Sequence, residues 1–173
     1  MKKFICLIVI AALAGCAQHP MRTGSIVVNK FDIKGYQTNN PMQVKDDVLQ
    51  RLSNDLHVSI LKHITNDSKM TLAKDCQDGD FELTGKFEKV NVNLDSHWRV
   101  VTVTVNQEFD VDVRAELKNC KTGAKVVEFD ADEDDEDMNN LIDNLGDSVV
   151  KGIKKDKTVT IPQTASRESK IAS

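Results

Sequence analysis

Four cysteines and four histidines carry most of the chemical potential in this 173-residue chain. Cys16 closes the tetrad Leu13-Ala14-Gly15-Cys16. Small residues ahead of it suit a peptidase that cuts between Gly15 and Cys16. A thiol at that place can receive a diacylglyceryl group, and the amino group freed by the cut can take an N-acyl chain. Cys6 lies upstream of the cut, so Cys76 and Cys120 remain as one pair. In an oxidising compartment a single pair reads as a structural disulfide. His19, His57, His63 and His97 contain no i,i+4 pair of the kind a helical metal site uses. Ser59-Ile60-Leu61-Lys62 matches S-x-x-K and Lys121-Thr122-Gly123 is a literal K-T-G, two signatures of penicillin-interacting serine enzymes. Their setting rejects that chemistry: Ser59 falls deep in a helical repeat, the K-T-G in a turn, and Ser53-Asn54-Asp55 has the wrong order for the third signature. The acidic run from Asp130 to Asp137 fails as a calcium loop, because its sixth and twelfth positions hold Asp135 and Leu141 where Gly and Glu are needed. It reads instead as a solvated strand end and helix start, with a weak cation site left open. No G-x-S-x-G or phosphate-binding loop occurs. The expectation is therefore no catalytic residue, no metal site and no cofactor beyond the acyl groups on Cys16.

The elements around Cys16 support its role. Lys2 and Lys3 form a basic start, and Phe4 to Leu13 is an apolar run. That run is far short of the roughly 20 apolar residues a spanning helix needs, so residues 1–15 read as a signal peptide. The tetrad resembles the lipobox of bacterial lipoproteins, in which the cysteine becomes the first, lipid-bearing residue. Several acyl chains anchor firmly where one does not. Ala17 stands where Asp, in the lipoproteins this resembles, favours retention in the inner membrane. The expected location is the periplasmic face of the outer membrane. Residues 16–24 form the lipidated cysteine and a short tether, reaching at most about 28 Å.

Removing Lys2 and Lys3 leaves 21 basic residues against 27 acidic ones, a balance that gives no reason to expect nucleic acid. The mature chain suits one domain, over 25–155, with a flexible C-terminal tail at 156–173.

Ser25 to Ile33 is β-branched and reads as a strand. Asn40-Pro41 offers an N-cap and a first-turn proline, and Val44, Val48, Leu52, Leu56, Ile60 and Ile64 then recur with helical period. Met70 to Ala73 fits a short strand. Phe81, Leu83, Gly85 and Phe87 alternate, and the apolar phase then slips to Val90, Val92 and Leu94, as a β-bulge would cause. Asp95-Ser96 is the expected hairpin turn. Val101, Val103, Val105, Phe109, Val111, Val113, Ala115 and Leu117 alternate with polar residues, giving one wet face. Ala124 to Phe129 returns after a turn at 119–123, and Met138 to Ile153 is a second amphipathic helix whose preceding acids suit its dipole. The order β-α-β-β-β-β-α predicts an α+β fold: an antiparallel sheet of four to five strands with two helices on one face. Cys76 and Cys120 then fall at the same end of the central hairpin, within disulfide reach. Thr102, Thr104 and Asn106 on the wet face, with Trp98 beside the hairpin turn, form the candidate partner-binding surface.

Two segments resemble a known class. Gly79-Asp80-Phe81-Glu82-Leu83-Thr84-Gly85 resembles the ADYxLxG strand, and Leu117 to Val127 (LKNCKTGAKVV) the LxDxxTGxxV hairpin, of small envelope lipoproteins. That class includes the periplasmic domain of the curli-secretion channel and the penicillin-binding-protein activators. The resemblance implies a non-catalytic accessory domain that binds other envelope proteins. The chain lacks the activators' long tether and the barrel-building segments of the channel. The expected partners are thus the bilayer, through Cys16, and an envelope protein of an assembly, secretion or transport complex. The alternative is a small-ligand or lipid carrier with an apolar site between helices and sheet, which needs a cavity of roughly 300 Å³ or more.

Overall fold

The structure is a computed structural model that describes residues 24–42, 44–67, 69–98 and 103–155, without side chains for 95–106. In chain order the elements are β1 (Gly24–Val28), α1 (Asp46–Thr65), β2 (Met70–Leu72), β3 (Phe81–Trp98), β4 (Val103–Asn119), β5 (Lys125–Asp135) and α2 (Met138–Lys155). The order is the one expected, β-α-β-β-β-β-α. The signal peptide, nearly all of the tether and the 156–173 tail lie outside the described residues.

The sheet order is β2-β1-β3-β4-β5. It is mixed rather than antiparallel: β1 runs parallel to both β2 and β3, while β3–β4 and β4–β5 are antiparallel. The reason is the helix between β1 and β2, since a crossover brings the second strand back in the same direction. Parallel strands are covered on both faces, and β1 shows it: the consecutive Ile26 and Val27 are both buried. Ile26 belongs to the main core. Val27 lies against Gly79 of the 73–80 connection, where a Cβ on Gly79 would come within 2.8 Å of its methyl.

β1 ends at Val28, short of the expected Ile33. The chain beyond it stays beside β3, with single bridges from Asp32 to Lys86 and from Gln37 to Lys89. Asn39 continues this docking, taking a hydrogen bond from the Val92 N–H (3.2 Å) and donating to Asn91 (2.9 Å) and Asn93 (2.7 Å). Because Gln37 and Asn39 are tied to β3, Asn40-Pro41 does not open the helix. The N-cap is Lys45, without a side-chain cap, and Asp46 and Asp47 occupy the first turn.

The phase slip in β3 is a bulge. Phe87 pairs with Val113 and Lys89 with Asp112, so Glu88 is the extra residue. Leu83 and Phe87 before it and Val90 and Val92 after it therefore all reach the core. Gly85 sits within this stretch because the Phe31 ring crosses it; a Cβ there would lie 2.4 Å from that ring. The expected turn at Asp95-Ser96 is not a turn. The strands run on, with Asp95 opposite Asn106, Ser96 opposite Val105 and Trp98 opposite Val103, and the connection falls at 99–102, outside the described residues. Alternating polar and β-branched residues simply continue the ladder past a pair that only locally resembles a turn.

Both helices pack on the sheet's core face. Leu49, Leu52, Leu56, Ile60 and Ile64 of α1 meet Leu141, Leu145, Val149 and Ile153 of α2 over Leu83, Phe87, Val111, Val113, Ala115 and Leu117. At about 25 cal/mol per Å² of apolar area removed from water, this layer dominates the stability. The helices cross closely at Gly146, whose hypothetical Cβ would lie 2.2 Å from Ser59 Oγ.

Candidate functional site

The two ends of the molecule differ. At the base, Gly24 enters β1 next to Phe81, and the Asp80 carboxylate accepts from the Ser25 N–H (3.0 Å) and hydroxyl (2.9 Å). Those bonds from Ser25 hold the Asp80 carboxyl below its ordinary pKa of 3.8. Cys76 and Cys120 form a disulfide here, with Cα atoms 5.1 Å apart, beside a backbone bond from Cys120 N–H to the Asp80 carbonyl (3.0 Å). The tether thus joins the domain at its most tightly laced end.

The other end is a protruding ribbon. β5 pairs with β4 only as far as Phe109, opposite Asp135. On the other side the chain after β1 follows β3 only to Asn93. Among the described residues, the outer edges of 94–98 and 103–108 have no strand partner. Seventeen residue steps separate Phe81 from Trp98, so the ribbon tip lies roughly 55 Å along the strand from the tether entry. Three of the candidate partner-binding residues, Trp98, Thr104 and Asn106, sit in this ribbon, at register positions opposite Val103, His97 and Asp95; Thr102 lies outside the described residues.

Below the ribbon the cover of helices stops short of the sheet. The gap is an open groove of about 640 Å³, with Val48 and Leu52 of α1, Met138 and Ile142 of α2 and Val92 and Phe109 of the sheet among its walls. Met42, at its rim, is 84 % exposed. A site between helices and sheet is what the carrier alternative requires, but its place at the helix starts was not foreseen from the sequence. Its signal was Gln107, the one polar residue that interrupts the apolar column from Val101 to Leu117, and it lines the groove.

The remaining candidates read as structure. The outer sheet face is a cross-strand charge lattice: Arg114 meets Asp130 directly opposite (2.8 Å), and Lys89 meets Asp110 (2.8 Å) and Asp112 (3.4 Å). Such exposed pairs add little each but leave that face wet. The acidic run is the end of β5 followed by the α2 cap, where the Asp137 carboxylate accepts from the Asn139 N–H (2.7 Å). Among the described residues no group of three His, Cys, Asp or Glu is placed to hold a metal, and no helix is long and apolar enough to cross a membrane. Ser59 is buried in α1, and its hydroxyl has no hydrogen-bond partner among the described residues. The K-T-G lies in the β4–β5 turn. His57 flanks α1, and burial lowers its pKa from 6.5. His63, 21 % exposed, reaches Asp143 (3.2 Å) on α2. Cys16 and Gly15 lie outside the described residues.

No family model matches the chain, and no curated protein matches it. Solved structures do. The PelC dodecamer from Paraburkholderia phytofirmans is 16 % identical, with a TM-score of 0.50 over 78 % of this chain and 90 % of that one. At that identity the likeness concerns the fold alone. A hypothetical protein of Chlamydia trachomatis is 9 % identical, with a TM-score of 0.48 over 76 % of this chain and 96 % of that one. A lipoprotein of Neisseria meningitidis is 10 % identical, with a TM-score of 0.41 over 75 % and 96 %.

Proposed function

We propose that this chain is a lipid-anchored, non-catalytic accessory module of the bacterial envelope, held by acyl groups on Cys16 at the periplasmic face of the outer membrane. Its partner is another envelope protein of an assembly, secretion or transport complex, in keeping with the resemblance to the curli-channel and activator lipoproteins. The observation that carries the reading is the protruding β3–β4 ribbon, whose two edges have no strand partner among the described residues. Unpaired strand edges are templates for an added strand, and a domain that needed only to fold would gain nothing from extending them. The tether enters at the opposite end, so the ribbon is presented away from the anchoring leaflet.

A ribbon-trimmed variant tests this. Replacing 95–106 by Asn-Gly leaves Leu94 opposite Gln107 across a two-residue hairpin loop. Native electrophoresis of gently solubilised membranes should show the intact chain in a larger complex and the trimmed chain at monomer size, with thermal stability unchanged. Equal migration of the two would remove the ribbon from the account.

The groove supports a second reading, a carrier. Its volume exceeds what a small ligand needs. It is open to solvent and rimmed by Lys45, Asp47, Arg51 and Asp55, which suits an exchanged macromolecular contact better than a sequestered lipid.

A further inference from the structure

We propose that the segment Thr158-Val159-Thr160-Ile161, just past the end of α2, docks as an added strand on the open edge of β2 and closes the sheet at its base. The inference is independent of what binds the ribbon.

The edge sets the requirements. β2 is the outermost strand, and among the described residues only β1 pairs with it. Ala73 turns its N–H to the Ile26 carbonyl (2.9 Å), so Leu72, one residue earlier, turns its N–H and carbonyl outward. Leu72 lies opposite the core residue Ile26 and therefore stands on the helix-covered face, yet it is 42 % exposed. Thr71, on the other face, is exposed. A strand that completes this edge must be apolar toward the helices and polar on the other side. Open apolar edges of this kind are normally covered.

The chain supplies such a strand at the right place. α2 returns along β5, with its Gly152 against the Phe129 ring, and its last turn reaches the start of β2. There Lys154 pairs with Asp67, whose carbonyl accepts from the Met70 N–H (3.4 Å). Thr158 follows Lys154 by four residue steps, a reach of roughly 14 Å. Handedness selects the edge. The crossover β1-α1-β2 steps from β1 toward the β2 side of the sheet, and α2 covers the same face as α1. A crossover of the same right-handed sense from β5 leads across the sheet to β2, and away from the outer edge of β5. The new strand then runs parallel to β2, because α2 reverses the direction of β5.

The side chains match. All four residues of the segment are β-branched, as strands favour. Val159 and Ile161 fall on one face, to extend the core beside Leu72, and Thr158 and Thr160 fall on the other with Thr71. Pro162 has no N–H to carry the ladder further, so the segment stops at a length suited to the three-residue β2. Joined to α2 by a few residues, it has an effective concentration on the order of millimolar at that edge. A second copy, offering its own three-residue β2, has no such advantage.

The test uses the full mature chain, isotope-labelled and kept free of lipid by Cys16→Ser, in nuclear magnetic resonance. The amides of Val159, Thr160 and Ile161 should exchange at least about tenfold more slowly than in a free peptide of residues 156–164. Nuclear Overhauser contacts should join Val159 or Ile161 to Leu72, and the ribbon-trimmed variant should keep them. V159D/I161D, and separately a chain ended after Lys155, should speed amide exchange at Leu72 and shift its methyl signals while those of Leu145 and Val149 stay in place. Exchange of residues 159–161 at the free-peptide rate, contacts to β5 in place of β2, or unchanged Leu72 exchange in the shortened chain would each overturn the proposal. Contacts to Leu72 seen only between differently labelled copies would overturn it in favour of a second copy.

Discussion

Removing the base disulfide tests the architecture in a quantitative way. Cys76 and Cys120 are 44 residues apart in sequence. In the chain-entropy account, closing a loop of that length lowers the free energy of folding by about 4 kcal/mol at 25 °C through the unfolded chain. The folded base has other ties: Phe81 pairs with Asn119, Cys120 N–H bonds the Asp80 carbonyl, and Asp80 accepts from Ser25. The native structure should therefore survive the double substitution C76S/C120S, with the cost appearing in the equilibrium alone. For roughly 130 ordered residues, about 4 kcal/mol corresponds to a fall in Tm of about 15 °C. Urea unfolding of the oxidised wild type and the double variant, followed by circular dichroism, measures the difference. Native-state amide exchange at Cys120 and Phe81 should change only by the global loss. A free-energy difference below about 1 kcal/mol, or fast local exchange at the base in an otherwise stable variant, would refute the reasoning.

Three further outcomes follow from the same geometry. Gly146→Ala should destabilise by about 1–3 kcal/mol through overpacking despite the better helix propensity of Ala, and Ser59→Ala should restore part of it, because the clash is with an unpartnered hydroxyl; a double-mutant cycle by urea unfolding reads the coupling. Asp67, Asp80 and Asp143 have carboxyl pKa values held below 3.8, by Lys154, by Ser25 and by Lys62 respectively. A depressed folded pKa means that the unfolded chain takes up protons first, so the carboxylate stabilisation is present above the unfolded pKa and is lost as pH falls through the folded values; unfolding free energies should decline in that acid range, after a first decline below about pH 6.5 where the unfolded chain protonates His57, whose folded pKa burial lowers. Cys16→Ser should abolish acyl incorporation and move the chain from the membrane to the soluble fraction, as read by intact mass and fractionation, with the domain's unfolding curve unchanged.

Much of the fold was legible because period and burial coincide. The slip from Phe87 to Val90 placed a bulge between those residues, since an alternating strand cannot keep one face buried otherwise. The helical stripe from Val44 to Ile64 was legible for the same reason, although its start was not: the pull of β3 on Gln37 and Asn39 is a long-range tie that overrides the local Asn-Pro signal. Parallel pairing of β1 was missed, since the expectation was an antiparallel sheet; the helix between β1 and β2 was the feature that required a crossover. The Cys76–Cys120 contact followed from hairpin geometry even though the strands run on past the expected turn at Asp95-Ser96, because the base of the hairpin does not depend on where its tip turns. The groove was hidden, because where a helix stops covering a sheet depends on docking rather than on pattern; Gln107 was its one trace.

The central claim is that the ribbon meets a protein partner. Its most direct test is photo-crosslinking in living cells, with a photoreactive residue at Thr104 in the ribbon and, as control, at Lys121 in the base turn. The account predicts a discrete protein adduct from position 104 that is absent from position 121. Adducts to lipid alone from position 104, or the same protein adducts from both positions, would contradict it.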